Sequence, residues 1–248
     1  MELRDINFIR YKRGIFSVND CFLNAEKNEA ADINYFIQVP DNYKNALNEF
    51  YTLLIDLSLS KEEIFQEIYH RTRDEINSFI INQKFEHKVM SALSEPELKV
   101  FIRLYNEFAK TKGLKKLEEY RILNYNREKI LAVSYIRQGE DFLAINFYRA
   151  TRQRASNLYT FSLKHKYENK YSASHFGRAH RALHWLDIDY FRESRAGYYD
   201  FCGWYNGIDD VALLNINKFK EQFEGNKIKE FSGVIYCNLF IKLLKKIF

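Results

Sequence analysis

The stretch from Ala173 to Gly225, ASHFGRAHRALHWLDIDYFRESRAGYYDFCGWYNGIDDVALLNINKFKEQFEG, constrains the fold more than the rest of the chain does. It reads as a glycine-containing loop, a helix from about Ser174 to Ser194, a short aromatic strand from Gly197 to Trp204, and a lysine-rich helix near Leu213–Phe223. A loop that opens onto a helix start offers unpaired backbone N–H groups and the positive end of the helix dipole, which suits a phosphate-bearing ligand. The strand that follows would end beside that ligand, a layout that points to a group-transfer enzyme using a phosphorylated cofactor.

Composition permits this and excludes other classes. A chain of 248 residues with 46% hydrophobic content buries a substantial core. With 18 Tyr and 21 Phe against 2 Pro and 9 Gly, ordered structure is expected to be nearly continuous. The net charge of +5 is too small to point to nucleic acid. Cys21, Cys202 and Cys237 are too widely spaced for a zinc knuckle or a disulfide framework, which fits a reducing cytoplasm. The N-terminus, MELRDINFIRYKRG, has no apolar signal region, and no apolar run approaches membrane-spanning length.

Along the chain, residues 1 to about 60 read as irregular strands and turns. Asn34–Val39 is a strand candidate ended by Pro40, and a helical stretch runs from Asn42 toward Leu57. Ser60 with Glu63 forms a capping box, and Ile64, Phe65, Ile68, Ile76, Phe79 and Ile80 recur at helical spacing, predicting one long amphipathic helix to Asn82. Ser94 with Glu97 starts another helix, which Gly113 ends, and a short third covers Leu114–Asn124. From Lys129 the period changes to two strands joined at Gly139, then a third at Asn157–Lys164, with a last strand near Ile228–Ile235. The expected class is α+β, a mixed and mostly antiparallel sheet covered by helices. Residues 1–110 form an added N-terminal lobe or degenerate half, and residues 111–248 the core.

The segments GRAHRALHWLDIDYFRE, GYYDFCGW and INKFKEQFEG resemble the GRANRxLHW, YDFGG and FKxxFGG signatures of the Fem-like branch of the Gcn5-related N-acetyltransferase (GNAT) superfamily. That branch includes Fem-type peptidyltransferases and acyltransferases of bacterial surface-polysaccharide pathways. HRTRDEINSF, from His70, is similar to a basic helical segment that these proteins carry upstream. The resemblance implies a GNAT-like fold and transfer of an acyl group from an acyl thioester, acetyl-CoA or an acyl carrier protein, to the amine of a nucleotide- or lipid-linked sugar. An aminoacyl-tRNA donor is the alternative, and a degenerate, non-catalytic binding module the third reading. Where the signatures place Asn, Gly and Gly, this chain has His180, Cys202 and Glu224. No paired coiled-coil insertion of the kind used for tRNA is visible.

By the same resemblance Gly177, Arg178 and Ala179 grip the cofactor's pyrophosphate, with His180 and Arg181 beside them. Lys220 occupies the signature lysine and either stabilises a developing oxyanion or is a solvated helix charge; Lys218, two residues away, lies on a different face and is assigned to substrate. A proton acceptor is needed for amine attack. Asp200 and His184 are the candidates, the first with a structural carboxylate as its other reading, the second with a core histidine. Tyr199 alternates with Asp200 and so points to the opposite face. His180 and His184 are spaced i, i+4, yet the glutamate of HExxH is replaced by Arg181, so no metal is expected. Cys202 reads as an inert thiol. Arg71 and Arg73 offer a basic cluster for an acceptor phosphate, or simply solvated charge. Finally, Lys242, Lys245 and Lys246 share one face of a C-terminal helix whose remainder is Leu239, Phe240, Leu243, Leu244 and Ile247, suited to docking or to contact with the inner face of a membrane.

Overall fold

The turn at Gly139 joins the two best-paired strands of the structure, a computed structural model that describes residues 1–23, 31–42 and 46–238. The C-terminal amphipathic segment from Leu239 lies outside the described residues. In chain order the elements are β1 (Phe8–Arg13), β2 (Phe16–Phe22), β3 (Ile33–Val39), β4 (Asn48–Asp56), α1 (Lys61–Glu67), α2 (His70–Asn82), β5 (Glu86–Ser91), α3 (Glu95–Thr111) and α4 (Glu119–Arg127). They continue with β6 (Leu131–Gln138), β7 (Asp141–Ala150), β8 (Arg154–Phe161), α5 (Lys164–Tyr167), α6 (Ala173–Glu193), β9 (Tyr198–Asp200), α7 (Val211–Glu221) and β10 (Asn226–Tyr236). Among the described residues ten strands form one sheet, ordered β1-β2-β3-β10-β4-β9-β8-β7-β6-β5. Only β2 with β3 and β8 with β9 pair in parallel, so the mixed, mostly antiparallel α+β class holds.

Alternation along β7 sorts the core into two faces. Ile145 and Phe147 pack with Leu98, Phe101, Ile102 and Tyr105 of α3 and with Ile122 and Tyr125 of α4. Ala144 meets Ala179, Ala182 and Leu183 of α6 on the other face, where Tyr148 packs with Trp185, Ile188 and Phe191. The sheet does not break near residue 110: β5 pairs with β6, and β10 lies between β3 and β4, so strands from both parts of the chain alternate in one sheet.

Several local expectations change. The segment expected as helix after Asn42 contains β4, because Thr52 to Ile55 are buried between β10 and β9 and a fully buried strand loses the alternation that marks it. β5, EHKVMS, was not predicted; it is a polar edge strand with no apolar run. The single helix expected over Ser60–Asn82 is two, since Ile68 takes an extended conformation (φ −57°, ψ 135°) and is itself buried, while the Tyr69 N–H donates to the Gln222 carbonyl (2.9 Å). The capping boxes of Ser60 with Glu63 and Ser94 with Glu97 both form.

Cys202 (φ 49°) and Glu224 (φ 55°) both adopt left-handed backbone, the conformation for which glycine is the natural choice. These are the two positions where the signatures carry glycine and this chain does not, and the left-handed backbone accounts for glycine there. The next residue, Gly225 (φ 121°), also needs the missing side chain: a Cβ there would stand 2.6 Å from the Leu54 carbonyl oxygen. Glu224→Gly is therefore expected to stabilise the fold by about 1 kcal/mol, and Gly225→Ala to destabilise it. Urea midpoints of the two variants check both signs.

Candidate active site in the fork between two strands

β8 and β9 pair only through Arg154↔Tyr198, Ala155↔Tyr199 and Ser156↔Asp200. Beyond that point β8 stays with β7 and bulges at Leu158, because Tyr148 faces Asn157 while Phe147 faces Tyr159. The other arm follows β4, the Phe201 N–H donating to Leu53 (3.1 Å) and the Trp204 N–H to Tyr51 (2.7 Å). Two strands that start together thus part into a fork, with α6 behind it and Phe219 and Phe223 near His184 on the same side.

Asp200 sits at the crotch, fully buried, on the face that carries α3 and α4. Its carboxylate accepts from Gln38 Nε2 (2.6 Å), the Cys202 N–H (2.7 Å), Ser156 Oγ (3.2 Å), Arg154 Nη1 (3.3 Å) and the Thr52 hydroxyl. Arg154 in turn makes a two-pronged contact with Glu230 (2.7 and 2.9 Å). Five donors leave this group no role as an open base; it ties β3, β4, β8 and β9 together.

His184 lies across the sheet from Asp200, so the two proposed proton acceptors do not share a site. Its Nδ1 is 2.6 Å from Tyr199 Oη, and its Nε2 is buried without a hydrogen-bond partner among the described residues. Asn157 Nδ2, on the same face as Tyr148, is likewise buried and unpartnered. Rings of Phe201 (5.1 Å), Phe219 (5.5 Å) and Phe223 (5.7 Å) surround the imidazole. Burial drives the His184 pKa well below the usual histidine value, helped by His180 and Lys220, and pushes His180 down to about 4. Both are neutral imidazoles near pH 7.

Lys220 is buried and donates to the carbonyls of Cys202 and Gly203 (2.6 Å to the latter). It therefore pins the arm of the fork that leaves β9, with one of its three N–H bonds uncommitted. Desolvation lowers its pKa. Burial raises the Cys202 thiol pKa well above its ordinary value, which keeps the sulfur protonated.

Gly177, Arg178 and Ala179, expected to meet a phosphate at a helix start, do not lie at one. Ser172, whose Oγ accepts from the His175 N–H (3.2 Å), caps α6, so these three residues lie in the helix's second turn and their N–H groups are committed to the helix ladder. The absence of a side chain at Gly177 instead makes room for Arg181, whose Nη1 would be 3.1 Å from a Cβ there. Arg181 is engaged with Glu75 (3.3 Å) and Gln222 (2.9 Å). Arg71 is exposed and paired with Glu75 (3.5 Å), Arg73 donates to Gln66 Oε1 (2.9 Å), and Lys218 is on the exposed side of α7; none of the three hydrogen-bonds to the fork.

Sequence reasoning missed Asn157, Asp187, Tyr148 and the Arg154–Glu230 pair. One signal was available: Asp187 falls on the apolar stripe of α6, three residues after His184, and a carboxylate on a buried stripe requires partners.

No family profile matches this sequence, and no curated protein sequence matches it. Among solved structures the chain is similar to FemX, with 9% identity and a TM-score of 0.63 over 97% of this chain and 85% of that one. It is also similar to the C-terminal domain of a putative lysylphosphatidylglycerol synthetase from Agrobacterium fabrum (12% identity, TM-score 0.55, 97% and 83% covered). A third likeness is to L-PGS from Bacillus licheniformis (11% identity, TM-score 0.53, 96% and 83% covered). The chain has the fold of FemX and of these two synthetase structures.

Two outcomes follow from Asp200 and His180. Asp200→Asn is expected to cost about 3 kcal/mol, the scale of breaking a buried ion pair, measured by urea denaturation. His180 is neutral in the fold down to about pH 4, whereas the unfolded chain takes up its proton near 6.5. The stability it contributes is whole above about pH 6.5 and is lost as pH falls toward 4. Melting temperature should drop across that window, and His180→Gln should flatten the drop.

Proposed function

We propose that this protein is an acyltransferase that moves an acyl group from a thioester donor to an amine of a sugar or glycan intermediate. The observation that carries this reading is the pair of buried, unpartnered polar atoms on one face of the fork: an imidazole nitrogen, His184 Nε2, and an amide donor, Asn157 Nδ2. Acyl transfer to an amine requires an acceptor for the amine's proton and a donor for the oxygen on which charge develops. In the proposed reaction the amine nitrogen bonds to the acyl carbon while the bond from that carbon to sulfur breaks. The amine proton passes to His184 Nε2 and thence to the departing thiolate, and Asn157 hydrogen-bonds the carbonyl oxygen as it gains charge. Lys220 acts by holding the arm that bears Cys202 and Gly203.

An acyl-CoA or acyl carrier protein thioester is the proposed donor. Its phosphates would be met by the N–H groups of Ala173 and Ser174 at the start of α6 and by Arg178 one turn on, not by Gly177. A nucleotide- or lipid-linked acceptor and contact with the inner membrane face belong to the same proposal. Likeness to FemX and to two lysylphosphatidylglycerol synthetase structures supports a second reading, in which the donor is an aminoacyl-tRNA and the broken bond is carbon to oxygen.

Calorimetric titration with acetyl-CoA and with CoA tests the donor. Saturable binding that weakens by at least about tenfold in Arg178→Glu, and survives in Gly177→Ala, is expected. No binding to either ligand, with saturable binding of charged tRNA, would move the assignment to the second reading. With a competent donor, His184→Gln is expected to lower kcat by about 10²–10⁴-fold.

A further inference from the structure

The hydrogen bonds behind His184 have a direction, and it can be read from one end to the other. Asp187, fully buried on α6, accepts at Oδ2 from Ser134 Oγ (2.5 Å), Tyr148 Oη (2.7 Å) and Asn146 Nδ2 (3.0 Å), and its Oδ1 faces His87 Nε2 (3.0 Å). A carboxylate offers no proton, so the Tyr148 hydroxyl proton points at Asp187. The contact between Tyr148 Oη and Tyr199 Oη (2.9 Å) must then use the Tyr199 proton. With its only proton given to Tyr148, Tyr199 is left to accept at its 2.6 Å contact with His184 Nδ1. His184 therefore carries its proton on Nδ1, and Nε2 holds a lone pair.

The same argument on the neighbouring histidine gives the opposite result. Thr160 Oγ1 donates to Asn146 Oδ1 (2.6 Å), so at 3.0 Å from His180 Nε2 it accepts, and His180 carries its proton on Nε2. Two histidines one helical turn apart are held in different tautomers by a network centred on Asn146 and Asp187.

We propose that Asp187, acting through Tyr148 and Tyr199, is a positioning residue that fixes His184 as the Nδ1–H tautomer and so presents the Nε2 lone pair to the fork, with His87 at the far, partly exposed end of the carboxylate. An isolated neutral imidazole favours the proton on Nε2, in which form His184 could donate but not accept at the fork. The relay reverses that preference in a site too apolar for water to do so. Its use for taking up an amine proton rests on the proposed function; the tautomer itself does not.

Nitrogen-15 and carbon-13 spectra of the histidine rings in the full-length protein test this directly, with His184→Gln giving the assignment. In the wild type near pH 7, His184 is expected to show a protonated Nδ1 and an unprotonated Nε2. Tyr148→Phe touches no atom of His184, yet it frees the Tyr199 proton to turn toward Nδ1, so the Nε2–H form should appear. Tyr199→Phe, which removes the acceptor itself, should shift the tautomer the same way. Phenylalanine keeps both rings, and an unchanged amide spectrum elsewhere verifies the fold. A wild-type His184 already protonated on Nε2, or a tautomer indifferent to Tyr148→Phe, would overturn the relay. An acyl-transfer assay on the wild type bears on the proposed function alone.

Discussion

Everything in the candidate site depends on where Asp200 stops β9 from following β8. Its carboxylate gathers donors from β3, β4 and β8 and from the Cys202 N–H. The last of these turns the chain into left-handed backbone immediately after the strand. Beyond it, the carbonyls of Cys202 and Gly203 are taken by Lys220 from α7 instead of by a neighbouring strand. Arg154 pairs with both Asp200 and Glu230, and neutral donors from Gln38, Thr52, Ser156 and the Cys202 N–H solvate the second negative charge, which lets so polar a junction survive in the interior. A fork needs a reason not to zip shut, and here hydrogen bonds on both sides of the sheet supply it.

The two faces of the junction do different work. On the face of α3 and α4, charge and the five hydrogen bonds to the Asp200 carboxylate fix the backbone. On the face of α6, two neutral side chains, His184 and Asn157, each keep a buried polar atom with no hydrogen-bond partner among the described residues. Because Tyr199 and Asp200 are adjacent on β9, one short strand couples the two systems, and a shift in either would move the other.

The stretch Ala173–Gly225 was legible because its helix, strand and helix follow from periodicity and from the signatures it resembles. Register within it was not. Gly177 looked like the end of a loop, but Ser172 offers a better cap, and a glycine inside a helix looks locally like one before it. The hairpin at Gly139 was legible since a turn and two apolar runs suffice to define it. β4 was not, since burial on both sides erased its alternation, and β5 was not, since an edge strand needs little apolar content. His184 could be singled out from its stripe, whereas its relay could not: Tyr148, Asp187 and Tyr199 meet across 39 and 51 residues of chain, and only the fold brings them together.

The position of β10 has a consequence for how such a chain is made. This strand, drawn from the last part of the described sequence, fills the place between β3 and β4, two strands from the first part. During synthesis, β3 and β4 emerge with facing edges unpaired, and they stay so until some 170 further residues have been added. The nascent chain thus carries two open sheet edges throughout the synthesis of the residues between β4 and β10, a state that invites pairing with other chains. Completion of the sheet is a late event, and a truncation that removes β10 would split the sheet at its middle instead of trimming its edge.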